Sequence, residues 1–311
     1  MIEGNVKVGI IILNYNGYKD TIECLESLKR ADFHGVQVST FVIDNGSTNE
    51  SVHELTIWMK ANVSNYLILE NDIQDAISSP FTLYVGKENL GFSGGNNIGI
   101  QLGKSSGMDY LLLLNNDTVV EPKFLHPLLK AARTDSSIGI VGAKIVDYYH
   151  RDHYILGGYL DLKKCSGYHY YDTERANLTD LTFTSGCIWL IPIEVFDRSG
   201  LMDTNYFLYV EDVDFCYTVR EHGYRITCTK DSVIYHKEGQ STVVKPTVTY
   251  YNTRNRLYLI RKANVSPKEK LIFYLYFGIS RLIKMLFKPS LIPYIKKGVI
   301  DYRRKFYGKY E

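Results

Sequence analysis

The chain has 311 residues, 45% hydrophobic and 23% charged, with 36 Lys+Arg against 34 Asp+Glu. This composition excludes a wholly disordered chain, a collagen-like repeat and a small disulfide scaffold; the length fits one large α/β domain, alone or with an appendage. The net charge of +2 is a cancellation, because residues 262–311 hold 12 basic and three acidic side chains, leaving 24 basic against 31 acidic in residues 1–261.

Val6–Leu13 is a nearly unbroken apolar run, the pattern of a strand buried on both faces of a parallel sheet. Ile22, Leu25 and Leu28 recur at helical spacing within Tyr18–Arg30, and Val36–Ile43 reads as a second strand ending in the turn formers Asp44-Asn45-Gly46-Ser47. A helix over Ser51–Ala61, a short strand over Tyr66–Leu69, a polar insertion over Asn71–Pro80 and a strand over Phe81–Val85 follow. Gly94–Leu102 is a helix, and Tyr110–Leu114 a strand that stops at Asn115-Asn116-Asp117. Glu121–Arg133 is helical, with Pro122 in its first turn, and Ile138–Val146 is a strand. Such alternation predicts βαβ units on a mostly parallel sheet.

The second half changes character. Tyr148–Thr182 reads as hairpins and loops, Phe183–Ile191 as a strand, Glu211–His222 as a helix and Tyr224–His236 as a strand. Val248–Lys262 and Lys268–Lys305 are helical, the latter broken at Pro289 and Pro293. The expected division is a catalytic domain over 1–262, split into halves of about 1–147 and 148–262, and a basic amphipathic tail over 263–311. The chain is also Tyr-rich, with 26 tyrosines against two tryptophans. Its five cysteines are widely spaced and form no CxxC pair, which argues against a zinc site or a disulfide framework and for reduced thiols in the cytoplasm. The N-terminus lacks the apolar run of a signal peptide, and no uncharged stretch reaches the ~18–20 residues of a bilayer span.

In open α/β sheets ligands bind outside the carboxyl ends of the strands, so Asn14-Tyr15-Asn16, Asp44 and Asp117 point to one crevice. Asp44 is either an Asx turn or an acceptor for the N–H of a nucleobase. The Gly-rich run from Asn89 to Asn97 matches neither common phosphate-loop pattern, although its glycines permit close approach of backbone to a ligand. Asp117 either caps a turn or holds a hard divalent cation against a diphosphate. Glu211-Asp212-Val213-Asp214 places three acids within four residues at a helix start; they repel one another unless a cation or a substrate proton is near. His236, at the end of a strand, is either structural or a metal ligand.

In order along the chain, Ile11-Ile12-Leu13-Asn14-Tyr15-Asn16, the Ile-Asp-Asn-Gly-Ser turn at Asp44, Asn89-x-Gly91-Phe with Gly-Gly-Asn-Asn-x-Gly99, Asn-Asn-Asp117-Thr, Ser185-Gly186-Cys187, Phe207 to Asp214, Gly223-Tyr-Arg and His236 resemble family 2 glycosyltransferases. The segment Tyr251 to Arg256 is similar to one in the rhamnosyltransferase-like branch. The resemblance covers roughly residues 6–262 and implies a GT-A fold and inverting transfer from a nucleotide-activated sugar. It implies a nucleotide-sugar site drawn from Asn14, Asn16, Asp44, Asn89, Gly91, Asn97, Asn116 and Asp117, and Asp212 as general base. Ser185, Gly186 and Glu211 would lie at the sugars, and Asp117 with His236 at a Mg2+ or Mn2+ ion. Two departures stand out. Asn115 replaces an Asp common in the DxD element, and Gly95-Asn96-Asn97 replaces Ala-Arg-Asn, so that Arg254 would supply the lost cationic phosphate contact.

The resemblance points to a non-processive enzyme of bacterial surface-polysaccharide assembly, since no QxxRW motif is present. Its donor would be dTDP-rhamnose, with UDP-hexose or UDP-galactofuranose as alternatives, and its acceptor a glycan or polyprenyl-linked glycan. A catalytically silent subunit of an assembly complex is the competing class. For the tail, packing on the catalytic domain or a second subunit competes with peripheral contact of 265–311 at the inner face of the cell membrane. Nucleic acid is not the expected partner, and a homodimer stays open.

Overall fold

The structure, a computed structural model, describes residues 6–70, 79–171, 178–237 and 246–310. Its first five strands, β1 (Val6–Asn14), β2 (Val36–Asp44), β3 (Leu67–Glu70), β4 (Phe81–Val85) and β5 (Tyr110–Asn115), are parallel and lie in the order β3-β4-β2-β1-β5. Right-handed parallel connections need crossover elements, here α1 (Tyr18–Lys29), α2 (Ser51–Asn62) and α3 (Gly91–Ser105). The sheet continues through β10 (Ile188–Pro192), antiparallel to both its neighbours, then β7 (Ile138–Asp147), β11 (Arg225–His236) and β6 (Thr118–Val120). A hairpin of β8 (Tyr154–Asp161) and β9 (Ser166–Tyr170) branches from β7. The fold is thus α/β with a mixed, mostly parallel sheet.

Alternation within the strands builds a core on each face. Ile10 and Ile12 pack with Cys24, Leu25 and Leu28 of α1, whereas Ile11 packs with Ile100 and Leu102 of α3. The glycines of α3 explain how that helix reaches the sheet: a Cβ at Gly95, Gly99 or Gly103 would lie 2.3–2.4 Å from Leu13, Ile11 or Leu111. They serve helix–sheet packing, and of the glycines in the Asn89–Asn97 run Gly95 is the one that does so.

The expected helix from Gly94 starts earlier, at Gly91, and that from Glu121 starts later, at Leu125 (α4, Leu125–Ala132). Phe183–Cys187 precedes β10 as an irregular segment whose Cys187 carbonyl accepts from Asn115 N–H. The short helix α5 (Ile193–Ser199), stopped by Gly200 at φ 77°, carries no strong period and was not predicted. Most of the expected insertion at Asn71–Pro80 lies outside the described residues.

Beyond α6 (Glu211–Glu221) and β11, the chain ends in α7 (Pro246–Lys262), α8 (Pro267–Phe287) and α9 (Ile292–Arg303). Pro289 marks the break as expected, but Pro293 sits in the first turn of α9, where a missing N–H costs nothing. The tyrosine surplus finds a packing role here. Tyr250 meets Tyr251 and Tyr310 edge-on, Tyr258 packs on Tyr206 and Tyr307, and Arg254 and Arg261 lie over these rings.

Candidate active site

The carboxyl ends of β1, β2 and β5 lie side by side, with Asn14 in register with Asp44 and Leu13 with Asn115. Buried polar groups at such an edge must find partners, and here they find each other. Asn14 Nδ2 donates to Asp44 Oδ2 at 2.7 Å, Thr21 donates to Asn14 Oδ1 at 2.8 Å, and Ser47 N–H donates to Asp44 Oδ1 at 2.9 Å. Asn16, at φ 57°, joins the two loops: its N–H donates to Ser47 and its Oδ1 accepts from Thr48 N–H. Asp44 is buried and shapes the 45–48 turn through these bonds, the Asx-turn alternative of the two that the sequence offered.

Asn45, which the sequence did not single out, is the hub between that turn and the next loop. Its amide donates to Asn89 Oδ1 and to the Gly91 carbonyl, and its Oδ1 accepts from Leu90 N–H. Gly91, at φ 75°, lets the start of α3 come against the Phe207 carbonyl, where a Cβ would stand 2.3 Å away. Asn97 is a clamp: both ends of its amide bond the Met202 backbone, at 2.8 and 3.0 Å. That use of the amide corrects its expected place at the nucleotide sugar.

Past β5 the chain turns through Asn116, whose amide donates to Thr21 Oγ1 at 3.0 Å, and reaches Asp117. β6 pairs with β11, placing His236 opposite Thr118, and His236 Nε2 lies 3.1 Å from Asp117 Oδ1. Burial raises the Asp117 pKa, but the His236 contact outweighs it and the net direction is down. Burial likewise opposes a positive His236, and the adjoining Cys187 and Asp117 reverse that, so its pKa moves up. One carboxylate oxygen beside one imidazole nitrogen suits Mg2+ or, with its greater tolerance of nitrogen, Mn2+. Among the described residues no group of three or more His, Cys, Asp or Glu side chains could hold a metal. The protein pair therefore fits an ion that takes its other ligands from a diphosphate and water. A cavity of about 630 Å3 adjoins His236, lined also by Asp147, Asp152, His153, Tyr154 and Tyr171.

The acidic cluster at α6 resolves into three different groups. Asp214 accepts from Lys262 Nζ at 2.7 Å and from Tyr206 Oη at 3.0 Å. Glu211 is buried with Oε2 unpartnered; burial and then the nearby Asp212 charge push its pKa up to about 8, which keeps it protonated at neutral pH. Asp212 is the more exposed member, and its Oδ1 accepts from Val213 N–H at 2.8 Å. The loop before it holds three non-glycine residues at positive φ: Phe207 (61°), Tyr209 (65°) and Val210 (74°). Such backbone persists only where its surroundings over-determine it. Asn255 supplies that constraint, donating to the carbonyls of Tyr206, Leu208 and Tyr209 at 3.0, 2.9 and 2.7 Å.

Arg254 is fully buried and spent on the same task. It donates to the carbonyls of Asn205 (3.3 Å), Tyr206 (2.9 Å) and Gly308 (2.7 Å) and to Asn255 Oδ1 (2.9 Å). The cationic diphosphate contact expected of it is thereby excluded in this structure.

Ser185-Gly186-Cys187 joins the two sides. A Cβ on Gly186 would stand 3.2 Å from that of Asp212, while Cys187 neighbours His236. Asp212 and the Asp117–His236 pair thus both adjoin one three-residue segment, which includes Ser185.

The family model described as "Glycosyl transferase family 2" matches residues 9–200. The chain is 22% identical over 226 residues to the dTDP-rhamnosyl transferase RfbF of Shigella flexneri, covering 70% of this chain and 73% of that protein. The fold is similar to that of the mannosyltransferase PcManGT of Pyrobaculum calidifontis, solved with GDP-Man and Mn2+, with a TM-score of 0.59 at 12% identity over 97% of this chain and 88% of that one. It is also similar to residues 1–349 of S. aureus TarS, with a TM-score of 0.57 at 16% identity over 91% and 75% of the two chains.

Proposed function

The chain belongs to glycosyl transferase family 2, and from that premise we propose that it transfers a sugar from a nucleoside diphosphate donor to an acceptor hydroxyl with inversion at the anomeric carbon. The observation that carries this reading is that Asp212 lies against Gly186 while His236, paired with Asp117, lies beside the next residue, Cys187. Inverting displacement asks for a base on the acceptor side and for charge stabilisation on the leaving-group side. Asp212 takes the proton of the incoming hydroxyl, its oxygen bonds to the anomeric carbon, and the bond from that carbon to the diphosphate breaks. Asn116, Asn16 and the turn held by Asp44, Asn14 and Asn45 frame the nucleotide, with Asn89 and Gly91 fixing the neighbouring loop. Asp117 and His236 would hold a Mg2+ or Mn2+ ion, which when bound supplies positive charge to the departing diphosphate.

The likeness to RfbF, a dTDP-rhamnosyl transferase, supports dTDP-rhamnose as the first donor to try; the sequence resemblance suggests bacterial surface polysaccharide as the product and a glycan or lipid-linked glycan as acceptor. The test is release of nucleoside diphosphate from dTDP-rhamnose, UDP-hexoses and UDP-galactofuranose with Mn2+ or Mg2+, followed by NMR of the new linkage. Release from dTDP-rhamnose with inverted configuration is the expected result. Release from another donor revises the sugar, retention of configuration overturns the role of Asp212, and no release from any donor favours a silent subunit.

A further inference from the structure

The face of α8 turned to solvent is apolar, the reverse of the usual arrangement for a surface helix. Leu271, Leu275, Ile279, Leu282, Leu286 and Phe287 are 58–81% exposed. The first five recur every three or four residues and so form one stripe along the helix. The opposite face carries Phe273 and Phe277 into the core with Leu257 and Ile260 of α7, and the charged Arg281 and Lys284 lie outside the stripe. The helix is well defined at its start, where Ser266 and Glu269 form a reciprocal cap and Pro267 opens the first turn. An apolar groove between α8 and α9, lined by Leu282, Met285 and Ile300, opens beside the stripe.

The charges around the stripe choose its partner. Lys268 and Lys288 stand near its two ends and Lys296 on the groove side. Among the described residues none of these lysines has an acidic partner. The acids of the tail among the described residues are occupied: Glu269 by the cap, and Asp301, buried, by Tyr250 and Lys297. A second copy docked face to face would bring lysine against lysine. No helix among the described residues is long and apolar enough to cross a membrane. A helix lying in the headgroup plane buries the stripe and puts the lysines at lipid phosphates.

We infer that α8 is a docking surface for an anionic phospholipid bilayer, seating the protein on the membrane with the helix parallel to its plane. The surface is separate from the transfer site and stands whether or not the donor assignment holds.

Flotation of the full chain with vesicles of phosphatidylcholine alone or mixed with phosphatidylglycerol tests it. Binding is expected to the mixed vesicles and to fall as salt screens the lysines. The combined variant Leu275→Glu/Ile279→Glu/Leu282→Glu replaces exposed side chains, so its melting temperature should stay at the wild-type value while binding falls at least ten-fold. Lys288→Gln should weaken binding about five-fold. Absence of wild-type flotation, equal binding to neutral vesicles, or full retention by the triple variant overturns the inference. So does a lipid-free dimer, seen by light scattering, that the triple variant dissociates.

Discussion

Asp117 and Asp212 face the same short segment, but they are held by different means. Asp117 stands two residues past β5, and its partner His236 is the last residue of β11, so their meeting follows from strand pairing through β6. Asp212 stands at the start of α6 behind a loop with three left-handed non-glycine residues, and that loop is fixed by side chains of α7 more than forty residues away. Strand register is a property of neighbouring backbone, whereas the second arrangement depends on a few buried side chains. One side of the site should therefore tolerate remote changes and the other should not.

The largest effect that can sharpen this contrast comes from Asp212→Asn. Transfer should fall about 10²–10⁴-fold, the span of a lost general base, while the donor still raises the melting midpoint. Near-normal turnover would remove Asp212 from the chemistry. His236→Ala should lower turnover about 10²-fold and reduce the response of donor binding to Mn2+; an unchanged Mn2+ titration would count against the pairing with Asp117.

Asn255→Ala should break the second arrangement without touching the first. The carbonyls of Leu208 and Tyr209 lose this donor, while that of Tyr206 keeps Arg254 and Leu208 N–H, so unfolding free energy should drop by about 1–3 kcal/mol. In addition kcat should fall about ten-fold with KM for the donor unchanged, if misplacing Asp212 costs what small shifts in reacting groups usually do. A stability loss with wild-type kcat would make Asn255 merely structural.

A further effect is a pH dependence. Glu211 has a folded pKa of about 8, above its unfolded value of 4.5, so its contribution is fully present below the unfolded value and is lost as pH rises towards 8. Glu211→Gln removes that loss. Its melting temperature should gain on wild type between about pH 5 and 8 and then keep a constant lead; parallel curves throughout would show that Glu211 is not held protonated.

The same contrast explains what the sequence made legible. Apolar runs and the polar residues that end them are local, so β1, β2, β5 and the cluster of strand ends could be read directly, as could the helix after Glu211. The acids at 211–214 were legible as an anomaly, but their division of labour depends on Lys262 and Tyr206, which only tertiary packing brings to Asp214. Arg254 illustrates the limit most clearly. A cation near a motif invites a phosphate role, and nothing local reveals that its donors are satisfied by backbone carbonyls at 205, 206 and 308. Asn97 is another such case, since its partner is the Met202 backbone, and Gly95 serves close helix–sheet contact, which asks for the same residue as close ligand contact.

The grip of Arg254 on Gly308 reaches beyond the tail itself. The same guanidinium that holds the carbonyl of residue 308 also holds that of residue 206, at the entrance to the loop that presents Asp212. Anything that draws residue 308 away leaves a fully buried cation short of an acceptor, and the strain would be relieved through its remaining contacts. A change that displaces the carbonyl of residue 308 would therefore act on the loop that presents Asp212, although it sits far along the chain from every reacting group.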